Sequence, residues 1–596
     1  MRKSLGKMLR AMTDPLHPEP EGAGPCNVAA ALVEQARQQP HSAAIHYPVG
    51  VREGKVAYRS ATYAELDALS DCYARGLQRY GIERGARAAL MVPPGLDFFA
   101  LFFALFKAGI VPVLIDPGIG LKPLKTCLAE AEPEAFIGVT RAQLARTLFR
   151  WSPSSIRHIV TLGPRLGWGG LSLGSLARRA GDTGPPVLSD TQAEEIAAIL
   201  FTSGSTGIPK GVVYRHRHFT AQVDMLRSTF GIQRGEVDLA TFPPFALFDP
   251  ALGMATVVPL MDPTRPANAN PAYLAQAIDR FSVTNVFGSP ALLKVLGKHC
   301  REQQRQLPTL RRVISAGAAV PADTVALMQQ AMPVGGSVYT PYGATECLPV
   351  ACISSDDMGP ELVAATQAGA GTCVGRPVSP NAVAILRLSD EALEQLQPDD
   401  LLPAGVVGEI IVHGPTATDR YWQRIEQTHL AKTTDEQGRL WHRMGDAGYF
   451  DEQGRLWFCG RKSQRVRTAQ GDLFADQTEA IFNTIEGIER SALVGLGAPG
   501  QQVPVLCVEL QRAGKGEQPV CRQSVEQAVR AKAAQHAKLQ SLGRVLFRSG
   551  FPVDMRHNSK INRQALAAWA ARECARGQAQ RSAFGESNTD ADWRLP

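Results

Sequence analysis

The sequence lacks the features that mark several protein classes. Its eleven cysteines are scattered from Cys26 to Cys574 without a Cys-x-x-Cys pair, which argues against a metal framework and favours a reducing, cytoplasmic interior. No basic stripe interleaved with aromatic residues occurs, and the net charge is only +7 over 596 residues. Nucleic-acid binding is therefore not indicated. No repeat recurs at a fixed period, which argues against a solenoid.

Long uninterrupted apolar runs are also missing. The N-terminus is basic but has neither an apolar segment nor a small-residue cleavage site, so no secretory signal is predicted. The most hydrophobic stretch, residues 98–115, is interrupted by a lysine, a glycine and a proline. We predict a buried helix over 98–106 followed by a buried strand over 110–115, and no transmembrane segment.

The chemically most specific stretch runs from residue 200 to residue 211. Glycines let backbone N–H groups converge on an anion, hydroxyls add hydrogen bonds, and Lys210 supplies a cation. The preceding residues 196–201 predict a buried strand that leads into the loop. The stretch is not a Walker A loop, and a flexible turn is the alternative. The predicted phosphate-binding residues are Thr202, Ser203, Gly204, Ser205, Thr206, Gly207 and Lys210.

This loop resembles the phosphate-binding signature of the adenylate-forming enzymes, the superfamily of acyl-CoA synthetases, luciferases and nonribosomal peptide adenylation domains. The resemblance implies an α/β fold with a large domain of βαβ-layered sheets and a small mobile α+β domain. Alternating strand and helix patterns before residue 185 also favour parallel βαβ units. The predicted divisions are a poorly ordered arm (1–26), the large domain (27–460), a hinge (461–463), the small lid domain (464–575) and a disordered tail (576–596).

A second signature of the superfamily lies at residues 342–346. It matches the pattern Tyr-Gly-x-Thr-Glu, with Gly343 and Ala344 between the functional residues. The resemblance implies that Tyr342 stacks on adenine, Thr345 binds the α-phosphate and Glu346 binds Mg²⁺. A magnesium ion that bridges phosphate oxygens needs a carboxylate and leaves its other positions to water. Without this context, a Thr-Glu pair would be a common helix start.

Further nucleotide contacts are implied by matches at three places. Gly317 and Ala318 end an apolar strand and resemble the pair that lets backbone approach adenine, although tight packing would explain them equally well. Asp446 matches the aspartate that accepts both ribose hydroxyls, and Arg461 is expected to reach the ribose or a phosphate. Ser463 stands where relatives usually carry Asp or Lys, so an unusual or displaced pivot is expected.

The last signature resembles the catalytic-lysine loop. Residues 558–561 read Asn-Ser-Lys-Ile, where Ser-Gly-Lys-Ile is usual. By resemblance, Lys560 neutralises charge on the carboxylate and α-phosphate as they react. Glu346 and Lys210 complete the predicted catalytic set. A solvated surface lysine is the alternative for Lys560.

Two apolar stretches, 242–248 and 285–293, resemble the strand ends that form the acyl pocket. Their few polar groups suit an alkyl chain, although each residue could simply belong to the core. Many acyl-CoA synthetases carry a histidine where Ala246 stands. The predicted pocket residues are Phe245, Ala246, Phe287 and Gly288.

The strings at 285–293, 339–346 and 556–561 resemble most the β-lactone synthetases of bacterial long-chain olefin biosynthesis. The resemblance implies that ATP and Mg²⁺ activate a 2-alkyl-3-hydroxy fatty acid as acyl-AMP. The 3-hydroxyl of the substrate then closes a β-lactone without coenzyme A, helped by the high effective concentration of an intramolecular nucleophile. Such relatives work beside a thiolase-like condensing enzyme, a ketone reductase and a β-lactone decarboxylase, which are the expected partners.

Two other functions stay open at this point. The chain could be a long-chain fatty acyl-CoA ligase or acyl-AMP ligase, which would use the same first step. It could also be a non-catalytic homologue that binds nucleotide or lipid, since fold does not settle function. The matches at Lys210, Glu346, Asp446 and Lys560 argue against this second alternative.

Overall fold

The computed structural model describes residues 25–181, 184–202, 209–512, 519–553 and 561–583. Twenty-six strands, β1 to β26, occur in these ranges. In chain order they are Ala43–Arg52, Lys55–Thr62, Arg87–Met91, Val111–Leu114, Ala135–Val139, His158–Leu162, Leu171–Ser172, Ile196–Phe201, Gly211–Arg215, Val237–Ala240, Ala255–Val257, Asn285–Phe287, Arg312–Ile314, Ser337–Ala344, Cys347–Ser354, Thr372–Pro377, Ala382–Leu386, Gly408–His413, Lys432–Thr434, Leu440–Phe450, Leu456–Arg461, Val466–Thr468, Gly471–Leu473, Ile488–Leu496, Val503–Leu510 and Arg544–Phe547.

Helices cover and connect the sheets. In the described ranges none of them combines the length and the apolar character needed to cross a bilayer. The α-helices are Ala30–Gln38, Tyr63–Arg79, Leu96–Lys107, Leu121–Ala131, Thr140–Leu148, Leu173–Ala180, His216–Phe230, Pro243–Ala246, Asp249–Leu252, Pro271–Phe281, Pro290–Glu302, Ala322–Ala331, Pro360–Gln367, Ile425–Ala431, Ala475–Phe482, Arg522–Ala534 and Arg563–Ala583.

The apolar run at 98–115 forms the predicted helix and strand. The helix is Leu96–Lys107 and β4 follows it, so both elements are confirmed. Lys107 is fully buried, and its Nζ contacts Asp67 at 2.5 Å and Asp71 at 2.7 Å. Both carboxylates lie on the helix Tyr63–Arg79. The charge inside the apolar run is therefore paired with a neighbouring helix, as a buried lysine requires.

A seven-stranded sheet holds the predicted phosphate loop. Its strand order is β7-β6-β5-β3-β4-β8-β9, and every pair is parallel except β8 with β9. The predicted strand over 196–201 is confirmed as β8. Residues 203–208, between β8 and β9 in the sequence, lie outside the described residues.

The largest sheet positions the remaining site residues. Strands β10 to β14 form its central part, in the order β11-β10-β12-β13-β14 with parallel neighbours. Residues 242–248 follow β10, residue 287 ends β12, and residue 317 follows β13. In open parallel sheets ligands bind beyond the carboxyl ends of the strands, so this edge is where a site is expected.

A small three-stranded sheet follows residue 488. Strand β25 lies between β24, with which it is antiparallel, and β26, with which it is parallel. It has its own core, which includes Phe482, Leu493 and Leu506. The last helix runs from Arg563 to Ala583, past residue 576, where the tail was predicted to begin; that boundary stays a prediction. The other predicted domain boundaries stay predictions.

Candidate active site

A cavity of about 1500 Å³ is lined by residues of both large sheets and of the small C-terminal unit. Most of the predicted site residues meet there. Ser203, Gly204, Ser205, Thr206, Gly207 and Lys560 lie outside the described residues. The predicted residues that line the cavity are Thr202, Lys210, Phe245, Phe287, Gly317, Ala318, Tyr342, Gly343, Ala344, Thr345, Glu346, Asp446, Arg461 and Ser463.

Glu346 is held in place by residues that the sequence did not single out for this role. The Tyr421 hydroxyl donates to Glu346 Oε1 at 2.6 Å. Burial, followed by the nearby Glu346 charge, raises the pKa of Tyr421, so its hydroxyl keeps its proton. The backbone N–H and the hydroxyl of Thr418 both donate to the Glu346 carbonyl, at 2.8 and 3.0 Å. Glu346 is therefore fixed at both its backbone and its carboxylate.

The 416–422 segment, which supplies these contacts, also packs against strand β9. Tyr421 forms a β-bridge with Val212, and the backbone N–H of Trp422 donates to the Gly211 carbonyl at 2.7 Å. Because Lys210 directly precedes β9, the segment connects the phosphate-loop side of the cavity to Glu346.

Lys210 closes the base of the predicted phosphate loop. The Thr202 N–H donates to the Lys210 carbonyl at 3.0 Å, which brings the two ends of the loop together. The Lys210 ammonium lies over the Tyr421 ring, 4.6 Å from its centroid. Burial lowers the pKa of Lys210, an effect that the nearby Glu346 charge opposes. The Lys210 ammonium and the Glu346 carboxylate therefore both contact the side chain of Tyr421.

Asp446, the carboxylate that is predicted to bind the ribose hydroxyls, lies at the centre of a second hydrogen-bond network. Asp446 Oδ2 accepts a hydrogen bond from the Tyr342 hydroxyl at 2.6 Å, and Oδ1 lies 2.9 Å from Arg461. Burial raises the pKa of Asp446, against the opposing effect of the Arg461 charge. Burial and the Asp446 charge in turn raise the pKa of Tyr342. The three predicted residues are therefore joined, and the carboxylate connects strand β20 to the predicted hinge.

Gly317 and Ala318 form the cavity wall beyond β13. Gly317 has a φ of +90°, a backbone conformation that glycine adopts at low cost. The neighbouring Ser315 hydroxyl is buried, and no described residue bonds to it. A buried hydroxyl without a protein partner beside an open backbone turn is suited to contact a bound nucleotide.

The predicted acyl residues divide into two pairs. The rings of Phe245 and Phe287 stack with centroids 4.3 Å apart and line the cavity. Ala246 and Gly288 are not among the lining residues, and Ala246 is fully buried in the adjacent core. The expected strand end at 242–248 is wrong in part, because Pro243–Ala246 is a helical turn. In a helix, neighbouring residues point in different directions, so Phe245 faces the cavity and Ala246 the core.

Sequence reasoning missed two buried polar groups, of which His442 lines the cavity and Lys432 directly follows the lining residue Ala431. Lys432 is buried, its Nζ donates to the Thr418 carbonyl, and burial lowers its pKa to about 8. His442, 2% exposed, lies in the cavity wall, and its Nδ1–H donates to the Ala431 carbonyl at 3.0 Å. Burial lowers the pKa of His442 well below its usual value, which favours the neutral imidazole. Lys432 begins β19, whose other two residues are threonines, and His442 is followed by Arg443 in β20, so neither residue stood out in the sequence.

The small C-terminal unit closes one side of the cavity. Arg563 pairs with Glu479 at 2.9 Å, and its Nε donates to Gln464 at 3.0 Å. Asp476, on the same helix as Glu479, lines the cavity, and burial raises its pKa to about 7. Ser463, the predicted hinge residue, lies in a short 3₁₀ turn, Lys462–Gln464, directly after β21.

The donor set fits a magnesium ion that is bound mainly through phosphate. No cluster of three or more metal-ligating His, Cys, Asp or Glu side chains occurs in the described ranges. Glu346 nevertheless presents one carboxylate, fixed by Tyr421, to the cavity. Mg²⁺ is usually held by one or two carboxylates together with substrate phosphates and water. The residues present are compatible with that mode of binding.

Comparisons with known proteins agree with this geometry. A model of the family described as "AMP-binding enzyme" matches residues 32–422. An olefin beta-lactone synthetase of Stenotrophomonas maltophilia (strain K279a) is 54% identical over 92% of this chain and 99% of its own length. One of Xanthomonas campestris pv. campestris is 53% identical over 92% of this chain and 98% of its own.

Solved structures share the fold at lower identity. The anthranilate CoA ligase AuaEII in complex with anthranoyl-AMP superposes with a TM-score of 0.74 at 19% identity, covering 94% of this chain and 100% of its own. ATP-bound MatB from Rhodopseudomonas palustris gives a TM-score of 0.71 at 20% identity, covering 91% and 98%. The chain therefore has the fold of these adenylate-forming enzymes.

Proposed function

The chain belongs to the AMP-binding enzyme family, and from this premise we propose that it is an olefin β-lactone synthetase. It activates a 2-alkyl-3-hydroxy fatty acid with ATP and converts the acyl-AMP into a β-lactone. The observation that carries this proposal is the similarity to two olefin beta-lactone synthetases over almost their whole length. The arrangement of the cavity supports the first of the two steps.

In the first step the substrate carboxylate attacks the α-phosphorus of ATP and pyrophosphate leaves. Positioning and electrostatics provide most of the catalysis in such a transfer. We assign the leaving phosphates to Thr202, Lys210 and the loop residues 203–207, and the α-phosphate to Thr345. Lys560 is proposed as the cation that neutralises the reacting groups.

Glu346 is proposed as the protein ligand of Mg²⁺. The ion would neutralise charge on the phosphate oxygens of ATP as it binds. Tyr421 holds the carboxylate by a hydrogen bond of 2.6 Å, so its orientation is set before the nucleotide arrives. The nearby Lys210 supplies a second positive charge for the same phosphates.

The nucleoside is proposed to lie against strands β13 and β14. Tyr342 would stack on adenine, with the backbone of Gly317, Ala318, Gly343 and Ala344 beside it. Asp446 would accept the ribose hydroxyls, which is compatible with its present role as acceptor for Tyr342 and ion-pair partner of Arg461.

In the second step the 3-hydroxyl oxygen attacks the activated carbonyl. The new C–O bond closes the four-membered ring, AMP leaves with the electrons of the acyl–phosphate bond, and the hydroxyl proton is released. The nucleophile is part of the substrate, so coenzyme A is not needed. A high effective concentration offsets part of the ring strain.

The chemistry of substrate and product suggests the neighbouring enzymes. A 3-hydroxy acid arises by reduction of a ketone, and a β-lactone gives an olefin on loss of carbon dioxide. We therefore propose a ketone reductase and a β-lactone decarboxylase as partners. We also propose a cytoplasmic location, consistent with the eleven free cysteines.

Mass spectrometry tests the function directly. The protein is mixed with ATP, Mg²⁺ and a 2-alkyl-3-hydroxy fatty acid, with and without coenzyme A. The expected product is lighter than the acid by one water, forms together with AMP, and is indifferent to coenzyme A. The control variant Glu346→Gln should form neither product. A thioester that appears only with coenzyme A would instead identify an acyl-CoA ligase.

A further inference from the structure

We propose that the cavity holds two alkyl chains in two aromatic arms that diverge beside Thr345. One arm follows the helix Leu96–Lys107, and the other lies against residues 242–248. The inference rests on the proposed function, which supplies an acid with two chains, and it assigns a place in this protein to each of them.

A continuous wall of phenylalanine rings lines the cavity. Along this wall each ring contacts the next, with centroid separations between 4.3 and 6.3 Å. These are distances at which aromatic side chains pack favourably. In spatial order the rings are Phe98, Phe102, Phe106, Phe219, Phe248, Phe245, Phe287 and Phe242, and all eight line the cavity.

The middle of this wall lies next to the reacting centre. Phe219 stacks on Tyr214 with centroids 4.8 Å apart. The Tyr214 hydroxyl donates to the carbonyl of Thr345 at 2.5 Å, and Thr345 is the residue assigned to the α-phosphate. The carboxyl end of a bound acid therefore lies near Phe219, in the middle of the wall and away from both of its ends.

From Phe219 the wall runs in two directions. In one direction it passes Phe106, Phe102 and Phe98, with ring separations of 5.9, 4.8 and 6.1 Å. In the other direction it begins with Phe248, 6.0 Å away, and continues through the stacked pair formed by Phe245 and Phe287. We call the first direction the helix arm and the second the turn arm.

Two diverging arms match an acid that branches close to its carboxyl group. A linear fatty acid has one chain and would fill one arm only. A 2-alkyl-3-hydroxy acid carries one chain on C2 and another beyond C3, so both chains leave within two bonds of the carboxyl carbon. Each methylene moved from water into an apolar arm favours binding by about fourfold. Filling both arms therefore distinguishes the branched acid from a linear one.

The helix arm has a matched internal control. Phe98, Phe102 and Phe106 are spaced four residues apart and share one helix face. Phe103 lies on the same helix and is as buried as Phe102, with 2% exposure for each, but it does not line the cavity. Replacing either residue with leucine removes a similar amount of buried ring, but only the Phe102 variant changes the arm.

The experiment compares two isomeric 2-alkyl-3-hydroxy acids in competition. One has a long C2 chain and a short chain beyond C3, and the other has the reverse distribution. The ratio of kcat/KM for the two acids is measured from AMP release and lactone formation. This ratio does not depend on the fraction of folded enzyme, so a less stable variant remains informative.

We expect Phe102→Leu and Phe245→Leu to shift this ratio in opposite directions, by about fourfold for each methylene that loses its contacts. Phe103→Leu should leave the ratio unchanged while lowering the thermal midpoint as Phe102→Leu does. The inference is overturned if both lining variants shift the ratio in the same direction, or if neither shifts it. If a thioester forms instead of a lactone, the proposed function is wrong. The ratio of kcat/KM measured from AMP release still shows whether each arm holds one alkyl chain.

Discussion

Replacing Tyr421 with phenylalanine isolates one hydrogen bond at the centre of the site. The change removes the hydroxyl that donates to Glu346 at 2.6 Å and keeps the ring under the Lys210 ammonium. A hydrogen bond to a charged group contributes about 1.5–3 kcal/mol, which corresponds to a factor of roughly 10 to 150. Because Glu346 is the proposed magnesium ligand, we expect the KM for MgATP to rise by that factor.

The measurement is ATP–pyrophosphate exchange with a saturating hydroxy acid and varied MgATP. Tyr63→Phe is the matched control, since Tyr63 is 1% exposed and its hydroxyl donates to the Met254 carbonyl at 2.7 Å, in the core. The control loses a buried hydrogen bond and should lose stability, but its KM for MgATP should match that of the wild type.

Wild-type MgATP kinetics in Tyr421→Phe would refute this reasoning. That result would mean that Glu346 keeps its orientation without the hydroxyl, or that it does not take part in MgATP binding. An equal rise of KM in the Tyr63 control would show that general loss of stability explains the effect.

Three further predictions concern other parts of the molecule. Asp446→Asn should weaken AMP binding at least about tenfold in calorimetry, because the charge-assisted hydrogen bonds to the ribose are lost; unchanged affinity would contradict the assigned role. Burial raises the pKa of Asp238 to about 7 and raises that of its neighbour Asp249. The folded protein therefore keeps protons that the unfolded chain releases near pH 4, so the free energy of unfolding contributed by this pair falls as the pH rises from about 4 to 7. In urea unfolding, the Asp249→Asn variant should show a smaller decrease of the unfolding free energy over this pH range. Gly375→Ala should reduce the yield of folded protein, because φ is +83° and a Cβ there would clash with the Cys352 carbonyl oxygen; a normal yield and thermal midpoint would contradict this.

The sequence predicted those site residues that belong to short contiguous motifs. Tyr342, Glu346, Asp446 and Arg461 each lie in such a motif, and all four line one cavity. Motifs of this kind are informative because one strand end or loop supplies several functional atoms. The local elements were also predictable: the strand Ile196–Phe201 follows from its apolar run alone.

Residues that act through a distant partner could not be predicted in this way. Tyr421 lies 75 residues from Glu346 in sequence, and nothing in its own neighbourhood marks it as a hydrogen-bond donor to that carboxylate. Lys432 and His442 lie in strands with other polar residues, and their burial follows from tertiary packing. The resemblance places Ala246 in the acyl pocket, but the helical turn Pro243–Ala246 directs this residue into the core.

The 416–422 segment also limits how kinetic data on this protein can be interpreted. Its contacts reach strand β9 through Val212 and Glu346 through Tyr421, so the cationic and anionic parts of the phosphate site share one support. Substitutions at residues with shared partners are generally non-additive. A double-mutant cycle on Lys210 and Glu346 should therefore give a coupling energy that includes changes in the 416–422 segment they share. For that reason, the rate loss of either single variant cannot be assigned to that residue alone.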